Sequence, residues 1–242
     1  MLVYEDYDYV DLQAFKNKRR NKKQRRKQPS NGLSLSHIQP KTKNQQAVFD
    51  AYSQNKHCVL HGVAGTGKSF LSLYLALDEV LNQNSKQKII CIRSVVPTRD
   101  MGFLPGNEHE KAKVYEQPYQ NIVQELMGRG DAYKILKDKR QFEFMTTSFL
   151  RGLTFDNAIV IVDEAQNLET HELDTIITRM GKNSRLVIAG DFRQSDLMQN
   201  GLLRFISILH RMKNFAFIDF NTNDIVRSGL VKDYIIAKEM YA

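Results

Sequence analysis

Short, nearly unbroken apolar runs alternate with longer amphipathic segments from about residue 37 to the end of the chain. The runs around 58–60, 88–96, 141–146, 157–164, 185–191 and 216–221 read as strands. An apolar run of that length, bounded by turn residues, suits a strand covered on both faces. Segments 41–54, 69–81, 119–127, 171–179, 202–211 and 230–240 carry helical spacing and fall between or after those runs. Parallel strands need crossover connections, which are usually helical. The order therefore predicts an α/β fold, a mostly parallel sheet flanked by helices on both faces. No internal repeat interrupts it. The longest departure, 97–140, contains the polar stretch GNEHEKAKVYEQ and is expected as an elaboration over the edge of the functional site.

Composition narrows this picture. A chain of 242 residues with 42% hydrophobic content can bury one substantial core. Its net charge of +8 is unevenly spread. Nine basic residues lie between Lys16 and Lys27, and Glu5, Asp6, Asp8 and Asp11 precede them. Residues 1–36 thus carry +5 and the remainder only +3. The stretch FKNKRRNKKQRRKQPSNG lacks apolar periodicity, so 1–36 is expected to be a disordered basic arm ahead of a domain over 37–242. Such an arm can hold single-stranded nucleic acid through its phosphates, or serve only as a solubilising tail. The two cysteines, Cys58 and Cys91, lie in strand-like runs and read as buried thiols of a reducing compartment. With no basic leader and no apolar run of bilayer-spanning length, a cytoplasmic protein without membrane contact is expected.

The strongest chemical signal is Gly62, Val63, Ala64, Gly65, Thr66, Gly67, Lys68 and Ser69, a complete G-x-x-x-x-G-K-[ST] between a strand and a helix. Small residues let successive backbone N–H groups curl round phosphates where the helix dipole also favours negative charge. Lys68 is expected on the β- and γ-phosphates and Ser69 on Mg²⁺. Packing alone can also produce a glycine-rich turn, but full motif, strand and helix coincide here.

A second signal lies downstream, where the apolar run from Ile159 to Val162 ends in Asp163 and Glu164. Ligands of open α/β sheets bind at the C-terminal ends of such strands. Asp163 is the candidate magnesium holder and Glu164 the candidate base for the attacking water. A third strand end, Gly190-Asp191-Phe192-Arg193-Gln194, could place Gln194 near the γ-phosphate, or could be an ordinary strand-to-loop transition. His57 and His61 share a strand face about 13 Å apart by strand rise, too far to chelate one metal.

TKNQ, GVAGTGKS, IRSVVPTRDMGFLPG, FLRGLTFDNAIVIVDEAQN, TRMGKNSRLVIAGDFRQSDL and DIVRSGLV, taken in order, resemble the successive motifs of the PhoH-like ATPases over about residues 40–240. That family is in turn similar to the first RecA-like domain of superfamily 1 helicases. The resemblance implies a RecA-like P-loop NTPase with ATP and Mg²⁺ as cofactors, and suggests Gln45 for adenine recognition and Gln194 as γ-phosphate sensor. It also makes Arg227 a candidate arginine finger, with Arg93, Arg151 and Arg179 as lesser candidates. Ser94 stands where the family usually has proline. No second RecA-like domain fits in the remaining chain, so a ring-like homo-oligomer, such as a hexamer with ATP sites at subunit interfaces, is expected. Three functions follow from these readings. The first is hydrolysis coupled to single-stranded RNA or DNA, the second is ATP-dependent action on a protein partner, and the third is a nucleotide-gated binding module with little turnover.

Overall fold

The computed structural model describes residues 32–94, 108–150, 152–192 and 201–240. Among the described residues, six strands form one sheet: β1 (His57–Gly62), β2 (Lys88–Arg93), β3 (Phe142–Thr146), β4 (Ala158–Val162), β5 (Arg185–Gly190) and β6 (Phe215–Phe220). Their spatial order is β3-β2-β4-β5-β1-β6. Every pairing is parallel, with Leu60 opposite Ala189 and Ile161 opposite Val187. The α/β expectation therefore holds.

The helices are α1 (Lys43–Ser53), α2 (Lys68–Asp78), α3 (Glu108–Met127), α4 (Ala132–Asp138), α5 (Thr170–Thr178), α6 (Leu202–His210) and α7 (Gly229–Glu239). Alternation along each strand divides the core in two. Cys58, Leu60, Ile89, Cys91, Ile159, Ile161, Val187 and Ala189 face a layer built on α1–α4, including Val48, Leu73, Leu77, Val123 and Leu136. Val59, Ile90, Ile92, Val160, Val162, Leu186 and Ile188 face Phe155, Leu173, Ile176, Phe205 and Leu209 beneath α5 and α6. The apolar runs are continuous because both faces of the sheet are covered.

Packing begins earlier than residue 37. Leu33 is buried in the core, and Ser36 N donates to Leu126 O at 2.8 Å. Residues 1–31 of the expected basic arm lie outside the described residues. The elaboration is more helical than expected. α3 extends well beyond 119–127, and α4 follows it, packed through Tyr133 and Leu136. At the sheet end away from the strand C-termini, Arg185 binds Tyr52 O at 2.7 Å and Asn55 Oδ1 at 2.6 Å, and lies 3.5 Å from Glu79. Among the described residues, no helix is long and apolar enough to cross a membrane.

Candidate nucleotide-binding site

The C-terminal ends of β1, β4 and β5 open onto a cavity of about 840 Å³, where Gly65, Lys68, Ser69, Asp163, Glu164 and Asp191 meet. Residues far apart in sequence converge there because parallel strands deliver their C-terminal ends to one side. β5 lies between β1 and β4, so the glycine-rich turn and the two carboxylates are one strand apart.

The turn is shaped from below and braced from the side. Gly62, at φ 127°, leaves no room for a side chain, since a Cβ there would collide with the backbone of Phe220 on β6. The buried Thr66 hydroxyl donates to Val63 O at 3.1 Å. Gln45, buried on α1, donates through Nε2 to Thr66 O at 3.0 Å and accepts from Lys41 N at 2.7 Å. Val226 N donates to Gly65 O at 3.1 Å, so the segment after β6 closes the other side. Lys68 Nζ reaches back to Gly62 O at 2.6 Å and Val63 O at 2.8 Å. The N-terminus of α2 lies at the same place, where the helix dipole favours negative charge, which makes the cradle cationic and suited to phosphate.

Asp163 is the centre of the acidic half. Its Oδ1 accepts from Ser69 Oγ at 2.9 Å and its Oδ2 from Tyr119 OH at 2.9 Å. Burial raises its pKa, adjacent Glu164 raises it further, and the two hydroxyl donors and Arg93 work in the opposite direction. For Tyr119, burial first and then nearby Cys91 and Asp163 push the phenol far above its ordinary range. Its hydroxyl therefore stays protonated and acts as the donor. A hydroxyl and a carboxylate are hard oxygen donors, and Mg²⁺ usually takes one or two such groups and completes its shell with phosphates and water. The residues present fit that ion. Among the described residues, no group of three or more His, Cys, Asp or Glu side chains could hold a metal without such help.

Glu164 sits in left-handed backbone, φ 52° and ψ 44°, a conformation that is costly for a residue other than glycine and clusters at functional sites. Gln166 fixes its head group by donating from Nε2 to Glu164 Oε2 at 2.5 Å, and accepts on Oε1 from Asp191 N at 3.1 Å. A Cβ on Gly190 would stand 2.6 Å from that Gln166 oxygen, so glycine lets the amide bridge the ends of β4 and β5. Neither Gln166 nor Tyr119 was singled out from the sequence. Gln166 stood inside DEAQN, whereas nothing in the spacing of Tyr119 marked it.

The other expected residues divide. Arg227 lines the cavity, with its Cγ 3.0 Å from where a Gly65 Cβ would stand, and so belongs to this chain's own site. Arg93 also lines it, its guanidinium 5.6 Å from the Tyr115 ring and its buried Nε without a hydrogen-bond partner. Burial opposes the Arg93 charge, but Tyr119, Glu164 and Asp163 outweigh it and raise its pKa. Arg179 ends α5 and does not reach the cavity. Gln194 and Arg151 lie outside the described residues. His57 and His61 have structural roles, each accepting on Nδ1, from Leu186 N at 3.0 Å and Phe192 N at 3.1 Å.

This arrangement agrees with sequence comparison. The family model described as PhoH-like protein matches residues 37–239. The chain belongs to the PhoH-like protein family. It is 32% identical over 205 residues to the PhoH-like protein of Synechocystis sp. (strain ATCC 27184 / PCC 6803 / Kazusa), covering 84% of this chain and 62% of that protein. With the PhoH-like protein of Bacillus subtilis (strain 168) it shares 32% over 203 residues, 83% of this chain and 63% of that protein. The chain thus spans about three fifths of the length of these PhoH-like relatives. In fold it is similar to the large terminase from the thermophilic bacteriophage D6E. That match has a TM-score of 0.50 and 12% identity, and covers 81% of this chain and 50% of the terminase. The PhoH-like site described above is accordingly a complete G-x-x-x-x-G-K-[ST] loop at the C-terminal edge of a six-stranded parallel sheet.

Proposed function

We propose that this PhoH-like chain binds ATP with Mg²⁺ and hydrolyses it, coupling the reaction to binding or remodelling of single-stranded RNA or DNA. The observation that carries the first part is the 2.9 Å contact between Ser69 Oγ and Asp163 Oδ1 beside the Lys68 cradle. It brings the phosphate-holding and the acidic halves of the site to one point. Bound magnesium would neutralise charge on the phosphate oxygens. Lys68 would hold the β- and γ-phosphates. Glu164 would orient a water toward the γ-phosphorus and accept its proton as the P–O bond to the leaving ADP breaks. Arg227, and Gln194 after β5, are assigned to the γ-phosphate, the first stabilising developing charge and the second sensing its presence.

Support for nucleic acid comes from the nine basic residues between Lys16 and Lys27 and from the motifs shared with helicases. A protein-directed ATPase is the second reading, while one surface supports self-association. No residue of α7 is buried among the described residues, and Leu230 and Tyr234 are 83% and 67% exposed on a helix whose Ile235 reaches the phosphate loop. Exposed apolar side chains of that size suit a protein surface. We propose a second copy of the chain as its occupant, in a ring-like homo-oligomer. Sedimentation in ATP and Mg²⁺ that shows monomers alone would remove that element.

The decisive experiment is phosphate release from ATP with and without single-stranded RNA, with Lys68→Ala as the blank. Release above the blank and raised by RNA is the expected result. A robust rate indifferent to RNA would favour the protein-directed reading. A rate equal to the blank would overturn hydrolysis itself. Removal of residues 1–31 should abolish salt-sensitive nucleic-acid binding and leave basal release intact. The cut belongs there because Leu33 is part of the core.

A further inference from the structure

The acidic half of the site is completed by a residue of the elaboration. Tyr119 lies midway along α3, directly after Pro118, and is 1% exposed. Its ring packs against Phe144 of β3, with centroids 5.6 Å apart, and its hydroxyl donates to Asp163 Oδ2 at 2.9 Å. Ser69 takes the other oxygen of the same carboxylate. Asp163 is therefore held at both oxygens by hydroxyls from different elements, one from the phosphate loop and one from α3.

The two contacts are not equivalent. Ser69 is itself a magnesium candidate, so its contact with Oδ1 marks the side of the carboxylate that faces the phosphate. Tyr119 takes the other oxygen, Oδ2. A carboxylate free to rotate can present either oxygen or both, but Mg²⁺ demands near-ideal octahedral geometry and loses from such freedom. A hydrogen bond to the oxygen that does not face the metal fixes the plane of the carboxylate, and groups of this kind typically tune metal affinity or activity by 10- to 100-fold.

We propose that Tyr119 is a positioning residue for magnesium. It holds Asp163 Oδ2, which leaves Oδ1, beside Ser69, as the oxygen that would hold the metal, and it makes α3 a working part of the nucleotide site. This rests on the ATP and Mg²⁺ reading above. The surroundings are consistent with a built support. Arg93 stands beside the same carboxylates and over Tyr115, one turn before Tyr119 on α3. Glu116, on the same helix, accepts from Tyr133 OH and Lys137 Nζ of α4, each at 2.6 Å, which fixes α3 to α4.

The test is Tyr119→Phe, which removes one oxygen and keeps the ring. Binding of a fluorescent ATP analogue is titrated with Mg²⁺ and repeated in EDTA, and phosphate release is followed across the same Mg²⁺ range. The expected result is a half-saturating Mg²⁺ concentration raised about tenfold or more in both titrations, with affinity in EDTA unchanged. Tyr133→Phe is the control. It deletes a hydroxyl bonded to Glu116 on the same elaboration, away from Asp163. If Tyr119→Phe acted only by loosening the elaboration, Tyr133→Phe would give the same shift. A Mg²⁺ requirement within twofold of wild type for Tyr119→Phe, or an equal shift in both variants, overturns the assignment. Wild-type binding indifferent to Mg²⁺ would overturn the ATP and Mg²⁺ reading as well, so the two failures are distinguishable.

Discussion

Ser69 Oγ, in the first turn of α2, donates to Asp163 Oδ1 at 2.9 Å, across 94 residues of sequence. Neither group gains that partner from its own element. The contact exists because β1 and β4 end on the same side of the sheet with β5 between them. Asp163 follows the last residue of β4, and Glu164 turns into left-handed backbone. One carboxylate is thereby directed at Ser69, the proposed magnesium ligand. The other is directed at Gln166 and the cavity.

That division of roles makes Glu164→Gln the most informative single change. The side chain keeps its size and the backbone its turn, while the proton acceptor is lost. Nucleotide and Mg²⁺ binding should survive. Turnover should fall by about 10²–10⁴-fold, the usual contribution of a positioned general base. Parallel measurement of ATP affinity and phosphate release checks this, and turnover equal to wild type would remove Glu164 from its assigned role.

The parts of the site that follow strands were legible in the sequence, because a buried parallel strand announces itself as an apolar run and its C-terminal end locates the ligand. The apolar run marks Asp163 and Glu164, the G-x-x-x-x-G-K-[ST] motif marks Lys68 and Ser69, and the structure brings all four together. The residues that come from the side were not legible. α3 carries Glu108, Glu110, Lys111, Lys113 and Glu116 in its first turns and Pro118 in its interior, a pattern that reads as a polar loop rather than a helix. Tyr119 then looks like one more core aromatic. α4 is seven residues long, too short to show a helical period. The roles of Gln45 and Gln166 depend on hydrogen bonds between segments that sequence spacing does not connect.

Gln45 illustrates the difference between resemblance and geometry. Its amide bridges Lys41 N and Thr66 O, so its first task in this structure is to hold the phosphate loop. Gln45→Ala leaves two groups without their partner and should destabilise the fold by about 1–3 kcal/mol, measurable by denaturant unfolding. The same variant separates two roles in binding. Loss of bracing should weaken ATP and GTP by the same factor. A loss confined to ATP would instead mark adenine recognition.

The thiols make a simple check of the core. Cys58 and Cys91 are both buried, and burial pushes the Cys58 thiol to about 11 and raises that of Cys91. A thiol of that kind presents almost no thiolate at pH 8, and the thiolate is the reactive form. The folded protein should therefore react negligibly with an aromatic disulfide reagent, and both cysteines should react after denaturation. Fast labelling of either one in the native state would contradict their placement on β1 and β2.

Asp224 supplies the pH dependence. It follows β6 and accepts through Oδ2 from Asn44 Nδ2 at 2.7 Å and from Asn221 N at 3.0 Å. Burial alone would raise its pKa, but hydrogen bonds from Thr42, Asn221 and Asn44 outweigh burial and lower it. A lowered carboxylate contributes stability that is fully present above its unfolded value of about 3.9 and is lost as pH falls through the folded value. Asp224→Asn should cost about 1.5–3 kcal/mol near neutral pH, the usual worth of hydrogen bonds to a charged group. The gap in melting temperature between wild type and variant should be constant above pH ~5 and close as the wild-type carboxyl protonates. Because Asp224 ties the segment that carries Val226 and Arg227 to α1, turnover should fall together with that stability. A gap that widened on acidification would mean that Asp224 is held by burial rather than by its donors.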